Sequence, residues 1–454
     1  MVRTAQGKAG KRSRRGCLRC RASHHKCDEQ QPRCGRCQRL NLECEPSDFI
    51  VPSSWCSSTL KTAVVENGGP ASTCDVFNSI AVVSPNQPES ASQLLPALDA
   101  EKVSLIQAYQ NGIAEWMDLF DDESHFRRAV VKRAVDSPLL MNAICALIAR
   151  QVGIADREEV WRATAARYYG ESLQQLITAL ELPASCPEDN LAATILLSSY
   201  ELLALPGLDH QRHVSGALTL IRTHACRASS NGIMGAAFWV YARQDVAMAL
   251  VHECPTMLPP EEWGVSWAEQ ERKEDKLGNK MVWLLARTIA HTFRKEVVLS
   301  VRSLSDNRAY LRRELDAWLE SLPDSFHGIP YEYPTPEGFS RLWFAVPSTA
   351  AAMCMYHLAH LLMFMEGCNS LLSTEDESQS KVLDHAQSIA AIALSPIPDA
   401  ALVQAVQPLY YAAKHIDSVA KKAKIWALLD RIENQLGFHT GDRIKQLQEQ
   451  VTLC

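Results

Sequence analysis

From about residue 101 to residue 454, apolar positions return every three or four residues. In SPLLMNAICALIARQVGI, residues 137–154, Leu139, Ala143, Ile144, Leu147, Ile148 and Val152 line one face of a helix. The same period runs through VWRATAARYYGESLQQLITAL, LAATILLSSYELLAL, VSGALTLIRTHA, KMVWLLARTIAHTF, AYLRRELDAWLESL and AKIWALLDRIENQL. Pro and Gly punctuate these stretches, as in LPGLD and LPPEEW, where helices are expected to stop. Runs alternating every second residue, the mark of half-buried strands, are scarce. The pattern predicts an all-helical domain of roughly 350 residues, its antiparallel helices packed side by side.

Upstream the helical period is lost. Residues 46–100 are rich in Ser, Thr, Pro and Asn and poor in charge, so they read as a flexible linker. No run of three heptads occurs there, and a coiled-coil route to dimers is not expected. Residues 1–16, MVRTAQGKAGKRSRRG, hold nothing to bury and read as a disordered basic tail. Its Lys8, Lys11, Arg12, Arg14 and Arg15 suit a nuclear-import receptor or DNA phosphates. Between tail and linker lies a cysteine cluster at residues 17–45.

Charge sharpens this division. Residues 1–45 carry twelve Lys or Arg against four Asp or Glu, a balance of +8. The remaining chain carries 34 against 48, a balance of -14. A basic head on an acidic body is the layout of a nucleic-acid-binding module carried by a non-binding one. The longest apolar run, AAMCMYHLAHLLMFM, is short for a membrane span and holds His357 and His360. The basic N-terminus lacks the apolar stretch of a secretory signal, so the fifteen cysteines are expected in a reducing compartment, where clustered thiols bind metal.

Six of those cysteines form an internal repeat, Cys17-x2-Cys20-x6-Cys27 and Cys34-x2-Cys37-x6-Cys44, joined by a spacer containing Pro32. One tetrahedral zinc takes four ligands and two separate zincs take eight. Two zincs sharing two bridging thiolates take six, and the repeat makes the equivalent Cys17 and Cys34 the natural bridges. His24 stands four residues after Cys20, so a single-zinc site with mixed Cys and His ligands is the alternative. In the two-zinc reading, two Zn²⁺ and six thiolates leave about -2 on the cluster. Arg19, Arg21, Lys26, Arg33, Arg36 and Arg39 more than offset that, and the surplus can face phosphates.

CLRCRASHHKCDEQQPRCGRCQRLNLEC resembles the DNA-binding domain of the fungal zinc binuclear cluster transcription factors. The carriers are all six cysteines, Arg21, the Lys26-Cys27-Asp28 step and Pro32. The resemblance implies two short helices around two zinc ions, the first presenting its C-terminal end to a CGG-type triplet in the major groove. It implies DNA contacts from Arg19, Arg21, Ser23, His24, His25 and Lys26. The chain departs from the family where two consecutive basic residues usually precede the KCD step: here stand Ser23 and His24. A histidine donates one hydrogen bond to guanine N7 or O6 but lacks a lysine's fixed charge. Base reading is therefore expected to be weaker and more pH-dependent, with packing of His24 and His25 against the cluster as the alternative.

The body resembles the fungal-specific transcription factor regulatory domain, discontinuously from about residue 105 to 445. The carriers are DSPLLMNAICALIA, HVSGALTLIRTHA, AAFWVYARQDVAMAL, QPLYYAAKHI and ENQLGFHTGDRI. That resemblance implies an all-helical regulatory fold without catalysis, in which Trp239 and Arg243 serve helix packing. His213, His224, Asp245 and His252 fall in one stretch, yet no GxSxG, HExxH or glycine-rich nucleotide loop accompanies them. EWMDLFDDESHF, residues 115–126, mixes acidic and aromatic residues as activation segments do. Trp116, Leu119 and Phe120 fit a core-facing helix end better.

Together these readings describe a nuclear, sequence-specific regulator of transcription: a two-zinc head on a large all-α regulatory domain. Its partners are double-stranded DNA, the transcription machinery or coregulators, and a second head supplied by a homodimer or a partner regulator. Control of a metabolic or secondary-metabolite pathway, through activation, is what the family implies. The rival classes are a zinc-dependent protein-interaction module and a metabolite-sensing helical protein that does not read DNA directly.

Overall fold

The computed structural model describes residues 28, 30, 33–40, 42, 44, 98–155, 159–182, 186–203, 208–268, 270–294, 301–332, 338–367 and 375–452. It divides the chain into two units, Met1–Ser92 and Gln93–Cys454. In the first unit the described helix is α1 (Gly35–Arg39), a single turn and a half.

In the second unit α2 (Ala100–Gln110) begins at Asp99, whose carboxylate accepts the Lys102 amide at 2.8 Å and satisfies one of the orphan donors of the first turn. Then follow α3 (Ile113–Met117), a π-helical turn at Phe126–Val130 and the short α4 (Val131–Ala134). The long helices are α5 (Pro138–Ala155), α6 (Glu159–Glu181), α7 (Pro187–Leu203), α8 (Leu208–Thr223), α9 (Gly232–His252), α10 (Glu274–Thr292) and α11 (Val301–Glu320). After a small hairpin come α12 (Pro347–Gly367), α13 (Glu375–Leu394), α14 (Asp399–Gln404), α15 (Val406–Lys414), α16 (Val419–Leu436) and α17 (Gly441–Thr452). Helix α5 packs against both α6 and α7, α7 continues the row to α8 and α9, and α12 joins α10 to α13.

The face read from the sequence of α5 is buried as expected. Leu139, Ala143, Ile144, Leu147 and Ile148 are buried, and Val152 packs at the margin. Its 18 residues have a mean hydropathy of 1.5, enough by length and composition to cross a membrane, which inspection of apolar runs alone overlooked. Two thirds of the helix is buried inside the body, the signature of a core helix flanked by neighbours on several sides. AAMCMYHLAHLLMFM likewise lies in α12, and Cys354, Leu358, Leu361 and Leu362 are fully enclosed.

The one departure from an all-helical body among the described residues is a two-stranded antiparallel hairpin, β1 (Ile329–Glu332) with β2 (Arg341–Trp343). Ile329 pairs with Trp343, and a bulge interrupts the register between Pro330 and Glu332. Strands of four and three residues are too short for an alternating pattern to stand out in the sequence.

Two glycines mark close approaches. Gly437 ends α16 in left-handed backbone at φ 64°, and the Gln151 side chain donates to the neighbouring Leu436 carbonyl at 2.9 Å. Gly278 in α10 carries the ring of Phe120 on its backbone, and a Cβ there would overlap three ring carbons. The Asn279 amide holds the Phe120 carbonyl at 2.9 Å, so the ring cannot retreat freely. Gly278→Ala is accordingly expected to lose roughly 1–3 kcal/mol through overpacking. Urea unfolding of the variant and parent would show it; equal midpoints would mean the ring has room to move.

Candidate metal centre

Cys34 is the N-cap of α1, in extended backbone at φ -65° and ψ 147°, and its sulfur accepts the Cys37 amide at 3.4 Å. One helical turn on, Cys37 is fully buried. The chain then folds back, with the Leu42 amide donating to the Cys37 carbonyl at 2.9 Å. This return delivers Cys44, whose sulfur accepts the Cys34 amide at 3.2 Å. The three sulfurs lie within 4.8 Å of one another.

That donor set fits zinc. Ligands 2.3 Å from a tetrahedral zinc stand about 3.8 Å apart, so three sulfurs this close can occupy three corners. The amides of Cys37 and Cys34 point at the sulfurs of Cys34 and Cys44, as in a cluster of metal-binding sulfurs. Among the described residues there is little else around them to hold a fold. The only buried hydrophobic residues described in this unit are Cys34 and Cys37, with Leu42 and Cys44 against them.

The repeats are tied together by a residue whose role spacing alone did not reveal. Asp28, one position past Cys27, accepts the Gly35 amide with both carboxylate oxygens at 3.0 Å. It thereby satisfies an unpaired donor at the start of α1 and places a negative charge at that helix terminus. Arg33 and Arg39 are exposed and Arg36 is half-buried, with Arg39 Nε donating back to the Gly35 carbonyl at 3.2 Å. Cys17, Cys20 and Cys27, the DNA-contact candidates Arg19, Arg21, Ser23, His24, His25 and Lys26, and the tail residues Lys8, Lys11, Arg12, Arg14 and Arg15 lie outside the described residues, as does nearly all of the linker.

In the body the acidic–aromatic segment is structural. Trp116 and Phe120 are buried and Leu119 packs at the core margin. Asp118 accepts the amides of Phe126 and Arg127 at 2.9 and 2.8 Å, and Asp121 accepts that of His125 at 2.9 Å. Burial drives the Asp118 carboxyl up to about 7, against the pull of those two amides. Asp245 accepts the amides of Met257 and Leu258 at 2.8 and 2.9 Å and the Tyr241 hydroxyl at 3.3 Å, fixing the loop after α9. His213 meets the Tyr169 hydroxyl at 2.6 Å. These partners make Asp245 and His213 packing residues. Trp239 donates to the Ala228 carbonyl at 3.2 Å and packs edge-on against Trp263.

Three of the described body cysteines differ in their surroundings. Burial raises the thiols of Cys145 and Cys226 to about 12 and about 11, as suits inert core residues. Cys186 instead receives a guanidinium hydrogen bond from Arg133 at 2.8 Å.

Residues 15–50 match the family model described as the fungal Zn(2)-Cys(6) binuclear cluster domain, and residues 104–277 match that of the fungal specific transcription factor domain. The carriers QPLYYAAKHI and ENQLGFHTGDRI fall beyond the second match. The chain is similar to the transcription activator AMTR1 of Alternaria alternata, at 23% identity over 80% of this chain and 65% of that protein. It thus spans just under two thirds of that relative's length. A stretch of 33 residues is 58% identical to adhesion and hyphal regulator 1 of Candida albicans, covering 7% of this chain and 5% of that protein. No solved structure matches the chain. A binuclear cluster domain holds two zinc ions, and the sulfurs of Cys34, Cys37 and Cys44 converge within the segment that matches it.

Proposed function

We propose that this chain, which carries a fungal binuclear zinc cluster domain and a fungal specific transcription factor domain, is a nuclear, sequence-specific activator of RNA polymerase II genes that reads a CGG-type DNA element. The observation that carries the reading is the convergence of Cys34, Cys37 and Cys44 within a segment matching the cluster family. Three sulfurs from one repeat leave the fourth corner of their zinc to a thiolate of the other. Sharing Cys17 and Cys34 fills both coordination shells with six cysteines. The zinc ions supply rigid cross-links and no reactive step.

Around that frame, Arg21 to Lys26 form the base-reading edge, joined by Arg19. Lys8, Lys11, Arg12, Arg14 and Arg15 neutralise phosphates, which makes affinity fall steeply with salt. One small head reads few base pairs, so a second head, from another copy or a partner regulator, completes a useful site. Activation takes its support from the Alternaria relative, a transcription activator, and the helical body is the surface that coregulators meet. A metabolic or secondary-metabolite pathway is the natural target of such a regulator.

Selection from a random DNA pool by the zinc-loaded full chain is expected to enrich a CGG-containing element, and chelation is expected to erase the enrichment. Binding of the selected site should be tighter at pH 6 than at pH 8, and His24→Lys should flatten that difference by fixing the charge. Zinc uptake without any enriched sequence would instead favour a zinc-dependent protein-interaction module.

A further inference from the structure

The helical body holds a cavity of about 400 Å³, partly open to the surface and at the lower end of the range of small-molecule sites. Its wall is mostly apolar, with Ile113, Trp116, Leu203, Val240, Leu285 and Val403 among the lining residues. Into this wall α9 introduces Arg243, which is only 5% exposed.

A buried guanidinium is costly unless its charge and its donors are met. Arg243 has five N–H donors, and among the described residues one acceptor, the Met117 carbonyl, takes a hydrogen bond from Nη2. The nearest aromatic partner is the Phe120 ring, 5.8 Å from the guanidinium carbon. Asp118 and Asp121 act on it at a distance, but Asp118 is occupied by the Phe126 and Arg127 amides and Asp121 by the His125 amide, and both lie outside the cavity wall. Burial lowers the Arg243 pKa to about 10, which leaves it charged at neutral pH.

Other polar groups on the wall are arranged differently. Gln244 is satisfied by Ser198 and Ser199 at 2.9 and 2.7 Å. Arg443 donates to Gln446 and Gln407 at 3.0 and 3.1 Å and lies over the Tyr410 ring. His439 Nε2 is buried without a hydrogen-bond partner, and Asp442 stands 3.7 Å from it. Two arginines, Arg243 and Arg443, and one aspartate, Asp442, give the carboxylate and guanidinium groups of the lining a net charge of +1. One charge suits a monoanion. A phosphate ester would call for more cations than this wall offers.

We infer that the cavity is a binding site for a small amphipathic monocarboxylic acid, its carboxylate paired with Arg243 and its hydrocarbon body against the apolar wall. A planar carboxylate matches the guanidinium fork with two parallel hydrogen bonds. The ligand thus supplies a counter-charge in direct contact with the guanidinium, where Asp118 and Asp121 act only from a distance, and it stabilises the folded body by mass action.

The test is thermal unfolding of the zinc-loaded full chain with decanoate, octanoate, 4-phenylbutyrate, 1-decanol or decyltrimethylammonium, each below its micellar concentration. At least one carboxylate is expected to raise the midpoint of the helical body by about 4 °C or more at hundredfold excess over its Kd. The alcohol and the ammonium ion should do much less. Ala247→Phe, which fills the cavity and leaves Arg243 in place, and Arg243→Met should both abolish the shift. Equal shifts from decanol and decanoate, no shift from any carboxylate, or a shift that survives both substitutions would each overturn the assignment. DNA selection reads the zinc head and this titration reads the body, so either can fail without the other.

Discussion

Cys37→Ser, or exhaustive chelation of zinc, is expected to abolish specific DNA binding while the helical body melts at its parental temperature. Cys37 is fully buried, and its neighbours among the described residues of the head are other cysteines and the half-buried Leu42. No apolar core is present among the described residues there to hold α1 in place once the metal is gone. Structural zinc contributes roughly 10–16 kcal/mol to small domains of this kind, which exceeds what a five-residue helix and a handful of hydrogen bonds can supply. The body has its own extensive hydrophobic core, so its unfolding should not register the loss. Zinc content, DNA affinity and the calorimetric transition of the full chain check this together. Retained specific binding in the metal-free protein would refute a metal-built head.

The second large effect is acid sensitivity set by three histidines between α12 and α13. His357 Nδ1 and His385 Nδ1 are 2.9 Å apart, and the rings of His360 and His385 stack at 4.9 Å. An N···N hydrogen bond needs one bare nitrogen, so His357 and His385 cannot both be charged. Burial lowers all three, to about 3 for His357, about 3 for His360 and about 4 for His385, against 6.5 in an unfolded chain. Their other neighbours partly cancel: Arg312 opposes protonation of His360 and His385, Asp384 favours it at His385, and Asp316 lies 3.8 Å from His360.

Between about pH 4 and 6.5, then, the unfolded chain holds protons on these rings and the folded body does not. Stability falls as pH falls, by about 1.4 kcal/mol per pH unit for each ring. Asp118, raised to about 7, works the other way, because there the folded state holds the extra proton. The net slope from these four groups is about two protons. His360 offers a clean probe, since its buried Nε2 makes no hydrogen bond and its ring packs among Tyr356, Phe364 and His385. His360→Phe is expected to be more favourable at pH 5 than at pH 8 by about 2 kcal/mol. Urea unfolding at the two pH values measures it, and an identical effect at both would show that His360 titrates normally.

The sequence by itself determined the metal chemistry, the two-part charge layout and the helical body. Those properties are local or additive. Cysteine spacing decides which thiols a turn can gather, and the period of three to four residues decides which face of α5 is buried, whatever surrounds it. Composition alone separates a basic head from an acidic body.

What only the tertiary structure decided depends on partners far along the chain. Asp28 reads as part of a motif, but its bidentate grip on the amide of Gly35, seven residues on, is a contact that only the folded chain makes. Arg243 looks like one more charge on an apolar helix until residues from 113 to 446 close a cavity around it. EWMDLFDDESHF has the composition of an activation segment, and burial of Trp116 and Phe120 with capping by Asp118 and Asp121 makes it a structural corner instead. The histidine trio joins positions 28 residues apart on two helices. Periodicity reports which way a side chain faces along its own helix. Whether it meets a carbonyl, an empty cavity or another histidine is settled when the helices pack, because burial and long-range pairing belong to the assembled core.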